Sequence, residues 1–71
     1  MSLRVGFIGT GNIARTHMNQ LSQMPDVKIA CGYDPSTEAI SMSSERFGFT
    51  PYDSLDKMLD SEKLDCAYIC I

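Results

Sequence analysis

The run Leu3-Arg4-Val5-Gly6-Phe7-Ile8-Gly9-Thr10-Gly11-Asn12-Ile13-Ala14 carries three signals in succession. Val5, Phe7 and Ile8 give the short apolar run of a buried strand, and glycine ends it. From Asn12 onward, apolar residues recur every three or four positions, which predicts a helix to about Met24, stopped by Pro25. Two overlapping stripes qualify as its inner face: Ile13, His17, Leu21 and Met24, or Ala14, Met18 and Leu21. The turn between strand and helix reads G-x-G-x-x-A.

Each position of that turn has a physical role. Gly9 lets the backbone swing sharply from strand to helix. Gly11 brings no side chain, so a pyrophosphate can approach the backbone. Ala14 is small enough for close packing of helix on strand. The amides of Asn12 and Ile13 fall in the first helical turn, where no intrahelical acceptor exists, and they suit an anion. A glycine pattern alone is a weak signal. Here it follows a strand and opens a helix, the context that a dinucleotide site requires. A P-loop would need Lys-Ser/Thr after its last glycine, and none is present. An S-adenosylmethionine site would more often carry a third glycine where Ile13 stands.

The matching acid is Asp34, twenty positions beyond Ala14 and at the end of a second apolar strand, Val27 to Tyr33. A carboxylate there can accept hydrogen bonds from adenosine ribose hydroxyls and repels a 2′-phosphate. Pro35-Ser36-Thr37 follows, with no cation. NAD is therefore preferred over NADP, although Ser36 and Thr37 could donate to a phosphate.

Farther along, Ser36 to Phe47 predicts a second helix with Ala39, Ile40, Ser43 and Phe47 inward, and Gly48 stands where a C-terminal cap belongs. Phe49 to Tyr52, interrupted by Pro51, reads as an edge strand. Asp53 is placed to cap a third, short helix carrying Leu55, Met58 and Leu59. Cys66 to Ile71 is a last apolar strand. The order β-α-β-α-β-α-β calls for a parallel sheet with right-handed crossovers. The expected architecture is α/β: a partial Rossmann fold, with residues 1–71 as the N-terminal half of a dinucleotide-binding domain, ending before its second half and containing no substrate domain.

Composition narrows the classes. The chain has 71 residues, 44% hydrophobic and 21% charged, with a formal net charge of −3. One domain at most is accommodated. No apolar run approaches the roughly 20 residues of a membrane span, and no leader pattern is seen. The six Lys and Arg residues are scattered, which argues against nucleic acid. Three cysteines, Cys31, Cys66 and Cys70, lack metal or disulfide spacing and read as small hydrophobes in a reducing, cytoplasmic protein. His17 has no convergent partners and reads as a packed helix residue. Arg15 is expected to face solvent. Met18, Met24, Met42 and Met58 read as core fillers, Tyr68 as packed between sheet and helix, and Asp53, Asp56 and Asp60 as a solvated face.

The opening Arg4 to Ala14 with His17 one turn on resembles the start of the glucose–fructose oxidoreductase / inositol dehydrogenase (Gfo/Idh/MocA) family. Tyr33-Asp34-Pro35, Phe47-Gly48, Tyr52 and Leu64-Asp65-Cys66-Ala67-Tyr68-Ile69 stand where that family would place them. The resemblance implies an NAD(P)-dependent oxidoreductase acting on a carbon of a sugar, cyclitol or related polyol. It implies that Gly9, Thr10, Gly11, Asn12 and Ile13 hold the pyrophosphate and Asp34 the adenosine ribose. Ile71 departs from the family's small residue or Thr and would contribute a backbone contact beside the cofactor. The family's Glu-Lys-Pro motif and downstream Asp and His lie beyond residue 71, so no catalytic residue is assigned. Two further readings stay open: a non-catalytic dinucleotide sensor, and a structural fragment that binds nothing alone. Pairing with a second copy is a further option for covering the last strand.

Overall fold

The computed structural model describes residues 3–70. Four strands, β1 (Leu3–Ile8), β2 (Val27–Tyr33), β3 (Thr50–Tyr52) and β4 (Cys66–Ile69), alternate with three helices, α1 (Asn12–Leu21), α2 (Thr37–Phe47) and α3 (Leu55–Ser61). The strands form one parallel sheet in the order β3-β2-β1-β4. Successive crossovers run outward from β1 to β3, and the chain then returns to the far side of β1. With right-handed crossovers, α1 and α2 cover one face and α3 the other. The reversal falls between β1 and β4, and the crevice at such a point is where ligands of open α/β sheets bind.

Strand alternation divides the faces. Val5 and Phe7 point into a core completed by Ala14, Met18 and Leu21 of α1, Ile40 of α2, and Phe49. The Phe7 ring stacks on Tyr68 with centroids 5.1 Å apart, and His17 lies against Tyr68 at 5.5 Å. Both residues are packed as expected. Gly6 points the other way, where a Cβ would come within 2.6 Å of Leu64 Cδ1 and 3.2 Å of Cys31 Sγ. The loop before β4 is tied to β1 by Arg4, whose amide donates to Asp65 Oδ2 and whose guanidinium donates to the Lys63 carbonyl and Glu62.

Several expectations are corrected. Helix α1 ends at Leu21, so Met24 lies outside it and is half exposed. Its inner stripe is Ala14, Met18 and Leu21, while Ile13 is 70% exposed. Ser54, not Asp53, caps α3, because its side chain accepts the Lys57 amide. Leu59 and Met42 are exposed, whereas Met18 and Met58 are fully buried. Cys31 is buried, but Cys66 is exposed. For the α1, α2 and α3 residues, helical periodicity allowed more than one face inward, and the sheet accepts only one. Gly48 ends α2 in the left-handed conformation at φ 72°, as its placement predicted. The assignment of Ile71 lies outside the described residues. No helix is long and apolar enough to cross a membrane among the described residues.

Candidate functional site

The site begins where β1 stops. Gly9 adopts φ 98°, a conformation costly for any residue with a Cβ, and its amide donates to the Tyr33 carbonyl at 2.7 Å. The turn is thereby pinned to the tip of β2. Gly11 then caps α1 with φ −79° and no side-chain hydrogen bond. The first helical bond of α1 runs from the Arg15 amide to the Gly11 carbonyl. The amides of Asn12 and Ile13 meet no acceptor among the described residues. Helices α2 and α3, in contrast, are capped by Ser36 and Ser54. Among the described residues, α1 alone presents its positive end without a side-chain cap.

Gly11 differs in kind from the other glycines. Its φ is ordinary, and a Cβ built on it would meet nothing within 4 Å. Neither backbone conformation nor internal packing requires a glycine there. The space in front of the helix start is open, as close approach of an anion to the backbone would require.

Asp34 follows the last residue of β2, and its half-buried carboxylate faces the same turn. Oδ2 accepts the Thr10 amide at 2.7 Å and the Thr10 hydroxyl at 3.2 Å, while Oδ1 accepts the Ser36 amide at 2.7 Å. Burial pushes its pKa up, but the Thr10 amide, the Ser36 amide and the Thr10 hydroxyl outweigh it. The carboxyl is held below its ordinary 3.8. Asp34 is therefore an anion at neutral pH, locked to the glycine turn.

Thr10 is fully buried, and its carbonyl accepts the hydroxyl of Ser43, also fully buried, at 2.7 Å. The sequence reading did not foresee this contact. The available signal was a serine on the inward stripe of α2, since a hydroxyl buried there must find a partner.

Beside Asp34, on the α2–β3 side, opens a cleft of about 440 Å³ whose walls include Thr37, Ile40, Tyr52 and Asp53. The helix start of α1 does not line it. Arg15 binds Asn12 Oδ1, one turn into α1. The described residues contain no group of three His, Cys, Asp or Glu side chains able to hold a metal.

Chains with this strand reversal and turn make up a class of nucleotide-binding α/β proteins whose ligand crosses the strand ends. Residues 3–71 match the Gfo/Idh/MocA model, described as an oxidoreductase family with an NAD-binding Rossmann fold, and the chain belongs to that family. Its architecture is similar to that of the WlbA dehydrogenase from Bordetella pertussis, solved with NADH and UDP-GlcNAcA: TM-score 0.92 and 24% identity over 99% of this chain and 22% of that one. Myo-inositol dehydrogenase from Lactobacillus casei, solved with NAD(H) and myo-inositol, gives a TM-score of 0.87 and 23% identity over 99% of this chain and 22% of that one. A 3-ketoreductase from Actinomadura kijaniata, solved with NADP, gives 0.84 and 25% identity over 96% of this chain and 21% of that one. The chain thus spans about a fifth of the length of these solved structures.

Proposed function

We propose that residues 1–71 are the first half of a dinucleotide-binding domain and hold the adenosine diphosphate portion of NAD. Gly11 carries this reading: a glycine that the protein's own conformation and packing do not need stands in front of two amides without acceptors. In this reading Gly9, Thr10, Gly11, Asn12 and Ile13 form the pyrophosphate turn. Asp34 takes the ribose hydroxyls. A carboxylate offers roughly four acceptor positions, and three are taken by Thr10 and Ser36. A ribose diol needs two, so the longer Thr10 hydroxyl contact is the one that yields. Asp34 disfavours a 2′-phosphate, and NAD is the preferred cofactor over NADP.

Bound NAD supplies a hydride acceptor, and this chain supplies position and charge for its adenosine end. The parent activity is hydride transfer between nicotinamide and a carbon of a sugar, cyclitol or related polyol. Family membership supports that activity, as do the sugar nucleotide and myo-inositol held by the WlbA and myo-inositol dehydrogenases. Calorimetric titration of the purified protein with NAD and with NADP tests the binding reading. The expected result is tighter binding of NAD. A folded protein that releases no binding heat with either would overturn it.

A further inference from the structure

We infer that Ser43 is a positioning residue for cofactor discrimination, acting on Asp34 through the main chain of Thr10. Ser43 sits in the middle of α2, thirty-three residues from Thr10 in sequence, and is fully buried. A serine inside a helix commonly bonds back to its own helix or faces water. This one instead donates to the Thr10 carbonyl at 2.7 Å. Thr10 is thereby held through both peptides that flank its Cα. Its carbonyl is fixed by α2, and its amide and hydroxyl point at Asp34 Oδ2. Ser36, next to the start of the same helix, holds Asp34 Oδ1 through its amide. Helix α2 therefore grips the carboxylate at both oxygens, directly through Ser36 and indirectly through Ser43 and Thr10.

Such a closed arrangement has a consequence for specificity. A carboxylate free to rotate can turn aside for a 2′-phosphate. One fixed at both oxygens cannot do so without breaking hydrogen bonds to Thr10 or Ser36. Removing the Ser43 hydroxyl leaves the buried carbonyl of the Thr10–Gly11 peptide without its partner and frees the backbone to turn about the φ and ψ of Thr10. That slack at the Thr10 Cα loosens the aim of the amide and hydroxyl at Asp34, and the carboxylate gains the freedom that a phosphate needs. Ser43 touches no ligand in this scheme. Its effect appears in the ratio of NAD to NADP affinity.

The inference rests on the reading of Asp34 as the ribose acceptor, and a double-mutant cycle separates the two. Dissociation constants for NAD and NADP are measured on the wild type, Ser43→Ala, Asp34→Asn and the double variant, with thermal melting as a check of folding. Ser43→Ala should lower the NAD-to-NADP preference by about three- to tenfold, the range of one hydrogen bond. In the Asp34→Asn background the same change should leave the ratio within twofold. If Ser43→Ala weakens both cofactors equally, or shifts the ratio equally in both backgrounds, Ser43 is structural only and the inference is overturned. If Asp34→Asn itself leaves the ratio unchanged, the ribose reading fails first. Should Ser43→Ala not fold, Ser43→Cys keeps the side-chain size with a weaker donor, and it must show the same directional loss of preference.

Discussion

The main-chain amide of Thr10 donates to Asp34 Oδ2 at 2.7 Å, joining the glycine turn after β1 to the tip of β2. The two halves of the dinucleotide signal are thus one bonded unit. The carboxylate is oriented before any ligand arrives, so less ordering remains to be done on binding.

Replacing Asp34 with Asn removes the charge and keeps the shape. Hydrogen bonds to a charged group contribute roughly 1.5–3 kcal/mol, so NAD affinity should fall by about tenfold or more. NADP should lose less, because the repulsion of its 2′-phosphate disappears as well. Equal losses for both cofactors in a titration would remove Asp34 from ribose recognition.

The same carboxylate sets a pH dependence. Its folded pKa lies below 3.8, the ordinary value that it regains on unfolding. The unfolded state therefore binds the proton first as pH falls. The stability that Asp34 contributes is complete above its unfolded value and is lost as pH drops through the folded one. Denaturant titrations of wild type and Asp34→Asn should differ steadily near neutrality and converge only below about pH 4. A gap that closes between pH 5 and 7 would contradict the hydrogen-bonding pattern at Thr10 and Ser36.

Gly11 and Gly9 should respond oppositely to alanine. Gly11→Ala places a Cβ in open space at an ordinary φ, so stability should change by no more than about 1 kcal/mol. NAD affinity should nevertheless collapse. Gly9→Ala forces a side chain onto φ 98° and should destabilise the fold by about 1–2 kcal/mol. Thermal melts paired with NAD titrations check both. Unchanged NAD binding by Gly11→Ala would leave the bare backbone there without a purpose.

Cysteine reactivity should follow burial. Cys66 is exposed and Cys31 is inaccessible. Burial foremost, with Glu62 adding and Arg4 opposing, pushes the Cys31 thiol up from 9.0 to about 11. At neutral pH it stays protonated and inert. The stability gained by keeping it neutral is full below pH 9 and is lost as pH rises toward the folded value. Alkylation followed by mass spectrometry should modify Cys66 first and Cys31 last. Equal rates in the native protein would contradict the packing beneath α3.

Met18 of α1 is fully buried in the core cluster that also holds Val5 and Phe7. Met18→Ala should destabilise the protein by about 2–5 kcal/mol, since both burial and packing are lost. Met42→Ala, at a position 61% exposed, should cost less than about 0.5 kcal/mol. Comparable losses in denaturation would mean that α2 presents a different face to the sheet.

Much of this was legible in the residues alone. The strand-turn-helix at Leu3 to Ala14, the acid at the end of the second strand and the helix stop at Gly48 are local patterns, set by nearest-neighbour sterics and by periodicity. The parallel order followed from helices lying between strands. What only the tertiary structure decided lies between distant segments: which stripe of α1 meets the sheet, why Ser54 caps α3, and how Ser43 reaches Thr10 across 33 positions. Such contacts depend on where whole helices settle on a sheet. A linear pattern specifies which faces can be buried, and packing in three dimensions selects the one that is.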